Sequence, residues 1–493
     1  MKSFRIILFT AVSVLIFTSG CLRGDSEEIA GKRPNFLLIL VDDLGKEWSS
    51  ATGADSVQTP KIDMLAKSGI SFDNVYSMPQ CTPSRVALLT GNYPYNNGWI
   101  NHYDVPRWGH GARFDPQRNL TFSNVLKKGG YKTCAAGKWQ INDFRLEPEA
   151  MVNAGFDAYC MWTGGEGGNK GISGNRYWDP YIHTSDGSRV YKDQFGPDIF
   201  TDFIIRFMQE NREDPMMIYY PMVLTHTPFV HTPLEPAAAT LMEKHKAMVR
   251  YTDYLVGRLV KELENLGIRE HTYVFFTTDN GTAVNVIGSR NGIPTRGGKT
   301  YLTENGVNAP FIVSAPGKIE GGQTSDVLID FTDLFPTLAD LAGVEIEKEV
   351  LLDGHSFAPV LRSDGENNRS WILTMGSHPG RIGEDGMIKN WYSFRDRAIR
   401  DQRYKVYLDT LKQIHRLFDL QEDPQEKVNL IGRAGMKEII AGFEKVVMEL
   451  PDEDCHPDYT RLDSSIFDVR PEYLVKSHQK VIGRSNMSPP FLP

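Results

Sequence analysis

Asn35-Phe36-Leu37-Leu38-Ile39-Leu40-Val41, running straight into Asp42-Asp43, is the stretch that decides the architecture. Its apolar residues follow one another without alternation. That is the pattern of a strand covered on both faces, as in a parallel sheet with helices above and below. Residues 272–277 (Thr-Tyr-Val-Phe-Phe-Thr) and 217–224 repeat the pattern, and a shorter run spans 131–136. Helical periodicity falls between them, at residues 60–68, 122–128, 198–211 and about 237–266. Thr59 stands at the N-cap of the first of these, and Pro60 at its first helical position. Strands alternating with helices predict an α/β fold, a large mixed, mainly parallel sheet sandwiched by helices.

Functional groups in such folds gather beyond the carboxyl ends of the strands. Each buried run here ends in reactive residue types: Asp42-Asp43, Lys138, His226, and Asp279-Asn280. One such ending would be unremarkable; a set of them on one rim predicts a site. The pattern then changes near residue 365. A polar, turn-rich stretch leads to short runs at 371–374, 391–395, 404–408 and 417–420, closed by a helix at about 436–450. This predicts a smaller C-terminal α+β subdomain on a short antiparallel sheet, with a tail after about 452 lying over the surface.

At the other end, Met-Lys-Ser-Phe-Arg precedes an apolar run from Ile6 to Phe17 and then Thr18-Ser-Gly-Cys21. A cationic start, a short apolar core and small residues before a cysteine describe a secretory leader, too short for a spanning helix. The ending resembles a bacterial lipobox, with simple secretion as the alternative. The expected organisation is a lipoprotein signal at 1–20, a tether at 21–32 beginning at lipidated Cys21, a catalytic domain at 33–365 and a C-terminal subdomain and tail at 366–493. The expected location is the cell envelope, lipid-anchored in the periplasm or at the outer membrane, with a surface-exposed position also open.

Apolar residues make up 41% and charged residues 24%, ordinary globular usage that leaves a sizeable core available. A net charge of −8 argues against nonspecific binding to nucleic acid, but not against an anionic substrate met by a local cluster of cations. The cysteines are Cys21, Cys81, Cys134, Cys160 and Cys455, too few for a disulfide framework, with a Cys134–Cys160 bond left open.

Cys81-Thr-Pro-Ser-Arg85-Val-Ala-Leu-Leu-Thr-Gly91 carries the most chemistry. Pro83 suits the first turn of a helix, which puts Cys81 and free N–H groups at its positive end. Arg85 would then meet an oxyanion docked there. Taken alone, the cysteine reads better as a buried residue beside an ordinary helix start. Asp42, Asp43 and Asp279 supply hard anionic oxygens and Asn280 a neutral one. That set suits Ca²⁺, whereas structural zinc would call for Cys and His. Lys138 and Lys299 add cations. His226, in Leu-Thr-His-Thr-Pro-Phe, has a titration range suited to proton transfer, with His231 as a weaker substitute. The glycine-rich loop at 161–168 and the aromatics after it place Trp162 and Trp178, with Asn101 and His102, as candidates to line a sugar or aryl pocket; a packed loop explains them equally well.

The Cys-x-Pro-Ser-Arg and Leu-Leu-Thr-Gly pair resembles the signature of the formylglycine-dependent sulfatases of the alkaline-phosphatase-like superfamily. So do the motifs ending in Asp42-Asp43, Gly137-Lys-Trp139, Thr278-Asp-Asn-Gly281, Gly298-Lys299 before Glu304-Asn-Gly306, and Leu417-Phe-Asp-Leu-Gln-Glu-Asp-Pro424. The resemblance runs from Pro34 to about Leu430. It implies that a maturation enzyme converts Cys81 to formylglycine, whose hydrated aldehyde attacks sulfur. It assigns Asp42, Asp43, Asp279, Asn280 and the modified Cys81 to calcium, Arg85, Lys138 and Lys299 to formylglycine and sulfate, and His226 to the leaving-group oxygen. The substrate it implies is a sulfated small molecule or carbohydrate. A phosphoester or phosphonate hydrolase of the same superfamily is the alternative, and a non-catalytic lipoprotein that binds sulfated glycans is a second. One position departs. Gly-Lys-Trp is followed by Gln140, where the family usually has a histidine implicated in expelling sulfate, and a carboxamide cannot take a proton at neutral pH. Another base is then expected to serve that half-reaction.

Overall fold

The strand β1, Asn35–Val41, is buried at every position and alternates its side chains between two cores. Phe36, Leu38 and Leu40 enter one apolar cluster; Leu37, Ile39 and Val41 enter the other. At about 1.5–3 kcal/mol per fully buried large apolar side chain, this seven-residue strand is a principal source of stability. The computed structural model describes residues 33–99, 110–112, 114, 116–142, 144, 147–162, 174–365, 369–377, 381–382, 388–389, 392–455 and 459–461. The expected leader, Cys21 and the tether, together with Asn101, His102, residues 163–168, Trp391 and the tail after 461, lie outside the described residues.

Around β1 the chain builds a ten-stranded mixed sheet. In chain order its strands are β1, β2 (Gly69–Tyr76), β3 (Lys132–Lys138), β4 (Ala158–Trp162), β5 (Tyr181–Thr184), β6 (Gly187–Val190), β7 (Met216–Pro221), β8 (Thr272–Thr278), β9 (Phe311–Ser314) and β10 (Gln323–Asp330). Their spatial order is β10-β2-β9-β8-β1-β7-β3-β4-β5-β6. The central block β8-β1-β7-β3-β4 is parallel throughout, while β9, β5 and β6 run antiparallel to their neighbours. Helices α1 (Pro60–Lys67), α2 (Cys81–Thr90), α3 (Phe122–Lys128), α4 (Gly196–Glu210), α5 (Leu241–Asn265) and α6 (Leu334–Ala342) contribute buried faces to the two clusters. The expected fold class is the observed one. A separate four-stranded antiparallel sheet, β11 (Ile372–Met375), β12 (Arg397–Arg400), β13 (Tyr404–Leu408) and β14 (Ile414–Asp419), packs with the last helix α7 (Lys437–Glu449). Its apolar cluster also takes in Met78, Tyr93 and Tyr95, on either side of α2.

Several boundaries differ from the sequence reading for identifiable reasons. The helix expected from 237 begins at Leu241, because Thr240 closes a capping box with Glu243: the Thr240 hydroxyl accepts the Glu243 N–H, and the Glu243 carboxylate accepts the N–H groups of Thr240 and Ala239. Thr59 does stand before α1, but its hydroxyl accepts the Ser50 N–H at 3.0 Å and does not cap. Asp253 of α5 accepts the first amides of α1 instead, from Lys61 and Ile62 at 2.8 and 2.9 Å. The strand expected at 391–395 is displaced to Arg397–Arg400, since the Arg395 N–H is taken by the Asp454 carboxylate at 2.8 Å and not by a neighbouring strand. Cys134 and Cys160 sit on adjacent strands, but both are free thiols, so the disulfide left open is absent. The described part of the tail, Tyr459–Arg461, pairs with His110–Ala112. Among the described residues, no helix is long and apolar enough to cross a membrane.

Candidate active site

The carboxyl ends of β8, β1, β7 and β3 converge, and the backbone past them is tied together. The Asp279 N–H donates to the Val41 carbonyl at 3.0 Å, the Asp42 N–H to Leu224 at 2.7 Å, and the Thr225 N–H to Asp42 at 2.6 Å. Asp43 turns the chain with a φ of 63°, a left-handed conformation that aspartate tolerates better than most side chains, and its own N–H donates to Asp279 Oδ1 at 3.1 Å. At Gly137 a Cβ would lie 2.0 Å from the Pro221 carbonyl oxygen, and its φ is 125°, so only glycine lets β3 deliver Lys138 this close to β7.

Helix α2 presents Cys81 at its N-terminus, and every residue of that helix is buried. Lys138 Nζ holds both oxygens of Asp42 at 2.8 Å. Lys299 Nζ holds Asp43 at 2.7 and 2.8 Å and lies 3.4 Å from Cys81 Sγ. Arg85 grips Asp279 Oδ2 through Nε at 3.1 Å and Nη2 at 2.6 Å, and donates to the Lys138 carbonyl at 3.1 Å. Asn280 donates to Asp43 Oδ1 at 2.7 Å, while its own Oδ1 is buried without a partner. His226 brings Nε2 to 3.7 Å from Asp43 Oδ2. Gln140, also in the left-handed region with a φ of 55°, accepts from Thr82 Oγ1 through its backbone oxygen at 3.4 Å, next to Cys81; its Oε1 is buried and unpartnered. All the residues chosen from the sequence for catalysis or metal binding thus lie on this rim. His231 does not join them; it is exposed against Trp178.

The charges are strongly polarised. Burial alone would raise the carboxyls of Asp42 and Asp43. Lys138, His226 and Arg85 outweigh it at Asp42, holding it well below the usual range, and Lys299 leads the opposing set at Asp43. At Asp279, burial and the neighbouring Asp42 win over Arg85, pushing it up to about 6. Burial and Asp279 push the Cys81 thiol up to about 12, so an unmodified cysteine here stays protonated and is a poor nucleophile. Burial and Lys299 bring His226 down to about 3, which leaves a neutral imidazole suited to hydrogen bonding rather than to carrying a proton at neutral pH.

The donor set fits a hard cation. Ligand atoms of Asp42, Asp43, Cys81 and His226 all lie within 4.8 Å of one another. The orphaned Asn280 Oδ1 adds a neutral oxygen beside them. Three carboxylates and a carboxamide oxygen match the oxygen preference of Ca²⁺, and imidazole is a poor ligand for it, which leaves His226 to face a substrate.

Sequence reasoning missed Arg176. It is buried beside His226, with its guanidinium 4.3 Å over the Trp162 ring, and Nη2 donates to the Thr227 carbonyl at 2.6 Å. The only signal was its place among the aromatics already noted, before Tyr177-Trp178.

The sulfatase family model matches residues 34–344, and the model for the N-sulphoglucosamine sulphohydrolase C-terminal region matches residues 298–453. The chain is 31% identical over 366 residues to mouse N-acetylgalactosamine-6-sulfatase, covering 67% of each chain. It is 24% identical to an N-acetylglucosamine-6-O-sulfatase of Bacteroides thetaiotaomicron, over 92% of this chain and 93% of that one. Its fold is similar to that of Ps i-CgsB solved in complex with k-i-k-neocarrahexaose (TM-score 0.71, 24% identity, 87% of this chain and 95% of the other). It is similar also to a structure in complex with its substrate D-glucosamine-2-N,6-O-disulfate (TM-score 0.65, 21% identity, 85% and 97%). With the family match spanning residues 34–344 and the motif residues gathered on one rim, the chain belongs to the sulfatases, sulfuric ester hydrolases of the alkaline-phosphatase-like superfamily.

Proposed function

We propose that this sulfatase removes sulfate from sulfated carbohydrate, using Cys81 matured to formylglycine and a calcium ion, on a chain anchored to the cell envelope through Cys21. The observation that carries the reading is the partnerless Asn280 Oδ1 beside the Asp42, Asp43 and Cys81 ligand atoms, an oxygen-rich cluster at the N-terminus of α2. Carbohydrate as the substrate class rests on the relatives: two of them are named for acetylated amino-sugar sulfates, and two fold neighbours hold a sulfated sugar or a neocarrahexaose.

Asp42, Asp43, Asp279, Asn280 and the residue at 81 would hold the ion, which when bound would supply a Lewis acid at one sulfate oxygen. Formylglycine would supply a hydrated aldehyde as nucleophile. The rest falls to the chain's own side chains. Lys138 and Lys299 hold the carboxylates in place and oppose charge that develops on the sulfate oxygens during in-line transfer. Arg85, fixed by Asp279, keeps its guanidinium beside the start of α2. His226, with Nδ1 2.6 Å from the Thr227 carbonyl, turns Nε2 toward the leaving group, and the buried Gln140 Oε1 accepts from a hydroxyl on the nucleophile.

The test is mass spectrometry of the Cys81 peptide from protein made with a competent maturation enzyme, together with turnover of sulfated sugars and of matched aryl sulfate and aryl phosphate. The expected peptide is lighter by about 18 Da, aldehyde oxygen in place of thiol, with sulfate preferred over phosphate. Free thiol alone in active protein would overturn the nucleophile, and a preference for phosphate would favour the phosphoester alternative. Labelling of Cys21 by radioactive palmitate in a bacterial host tests the anchor.

A further inference from the structure

Among the described residues, Arg176 is a buried cation without a counterion. It is 8% exposed, and among the described residues no carboxylate pairs with it. Burying an unpaired charge is expensive, so such a group is ordinarily neutralised within the fold. Its Nη2 is used: it donates to the Thr227 carbonyl at 2.6 Å and lies 3.2 Å from His226 Nδ1. Its Nε and Nη1 are buried and, among the described residues, have no hydrogen-bond partner.

The orientation of the group is held from several directions. Its guanidinium lies 4.3 Å over the Trp162 ring and 5.5 Å over the ring of Tyr177, cation–π contacts that hold the group in place. The Tyr177 hydroxyl donates to the Val223 carbonyl at 2.8 Å and contacts the His226 carbonyl, strapping residues 176–177 to the segment that carries His226. The imidazole stands between Arg176 and the carboxylates: Nδ1 lies 2.6 Å from the Thr227 carbonyl and 3.2 Å from the guanidinium, and Nε2 faces Asp43 at 3.7 Å. A substrate whose sulfate sits over Asp42, Asp43 and Cys81 would therefore extend its leaving group past His226 toward Arg176.

We infer that Arg176 determines specificity by binding a second oxyanion, a carboxylate or a further sulfate, on the leaving group that carries the scissile ester. This deepens the sulfatase reading and rests on it. A planar guanidinium with free N–H groups matches either oxyanion, and the charge it lacks within the fold comes from the substrate.

Phenyl sulfate, 3-carboxyphenyl sulfate and 1,3-phenylene disulfate separate the two oxyanions from neither. The matured enzyme should show its lowest KM on one of the two dianions, which identifies the group. Arg176→Ala should raise that KM by about 10–100-fold, with kcat nearly unchanged and phenyl sulfate affected less than about threefold; Arg176→Lys should recover part of the loss. Calorimetric titration of 1,3-phenylene disulfate and 3-carboxyphenyl sulfate into Cys81→Ala protein gives a readout that needs no turnover, and there Arg176→Ala should weaken the preferred dianion by a similar factor. Equal losses on all three esters, a fall in kcat alone, or unchanged binding in the titration would reduce Arg176 to a support for His226 and overturn the proposal. Failure of the matured wild type on every ester, with dianion binding intact in the titration, would instead count against the sulfatase reading.

Discussion

Two buried charge clusters in this molecule are built from the same residue types and finished differently. Around Glu304 and Glu426, Lys405 donates to Glu304 at 3.0 Å and lies 3.1 Å from Glu426. Arg400 and Asn308 donate to Glu304 at 3.2 and 2.8 Å, the Glu304 N–H donates to Glu426 at 2.8 Å, and Tyr76 and Tyr407 donate their hydroxyls to the two carboxylates. No atom of these side chains is left buried without a partner. Burial would raise the Glu304 carboxyl, but Lys405 and Arg400 hold it down. Around Asp42 and Asp43, by contrast, the Asn280 and Gln140 carbonyl oxygens are orphaned, and Cys81 is held as a protonated thiol. The first cluster is complete and clamps β12 and β13 to the turn that follows Lys299. The second is incomplete without something brought from outside. Unmatched buried groups mark where a fold has given up stability for chemistry.

The contrast breaks most visibly at the nucleophile. Cys81→Ala should lower turnover by at least about 10⁴-fold, while urea denaturation shows a stability change below about 1 kcal/mol. A folded Cys81→Ala protein that kept its rate would remove Cys81 from the chemistry. In the complete cluster the effects should reverse. Lys405→Met leaves Glu304 and Glu426 short of a buried cation, which should cost about 3–5 kcal/mol in urea denaturation, with kcat within about tenfold of wild type once folded. Loss of turnover at unchanged stability would mean that the clamp belongs to the active site. Smaller again would be the effect of the proposed calcium ion. Adding calcium at a hundredfold excess over its dissociation constant to chelated protein should restore about 2.7 kcal/mol of stability by mass action. Asp43→Asn should abolish that calcium-dependent shift in thermal midpoint, and a shift that persisted would place the ion elsewhere.

How much of this was legible in the sequence follows from which physics is local. The unbroken apolar run of β1 and the reactive pairs after it state both the sheet and its rim, because strand burial and side-chain period are properties of a few neighbouring residues. The carboxylate ligands could be read for the same reason, since each follows a strand, whereas Cys81 opens α2 and was read through the family signature. The Glu304 clamp and Arg176 could not. Glu304 and Lys405 are a hundred positions apart, and nothing near either residue announces the other. Arg176 reads as one more surface cation until Trp162 and Thr227 are folded around it. The start of α5 and the displaced strand at Arg397 turn on single side-chain caps, Thr240 and Asp454, which periodicity does not weigh.

Gln140 gives the finest test of an unfinished site. It occupies the position where a histidine was expected from the resemblance, in a left-handed conformation with φ 55°, and its Oε1 has no partner. An amide oxygen can accept a hydrogen bond from a hydroxyl on the nucleophile and hold it in line, but it cannot remove the proton when sulfate leaves. The groups that support attack on sulfur are all in place: Lys138, Lys299, Arg85 and His226 surround Cys81 and the carboxylates. On the proposed formylglycine mechanism, the second step would lack the family's usual base. Rapid mixing should therefore show a burst of alcohol product followed by a slower steady state. Gln140→Ala removes one neutral hydrogen bond and should slow that steady state by about 2–10-fold. Gln140→His meets no backbone obstacle, since histidine is among the side chains that adopt positive φ readily. It should raise the steady-state rate toward that of the burst, to the point where the two phases merge. An alanine variant with wild-type kinetics and no burst in either protein would show that the orphaned amide takes no part, and that a different residue serves sulfate release.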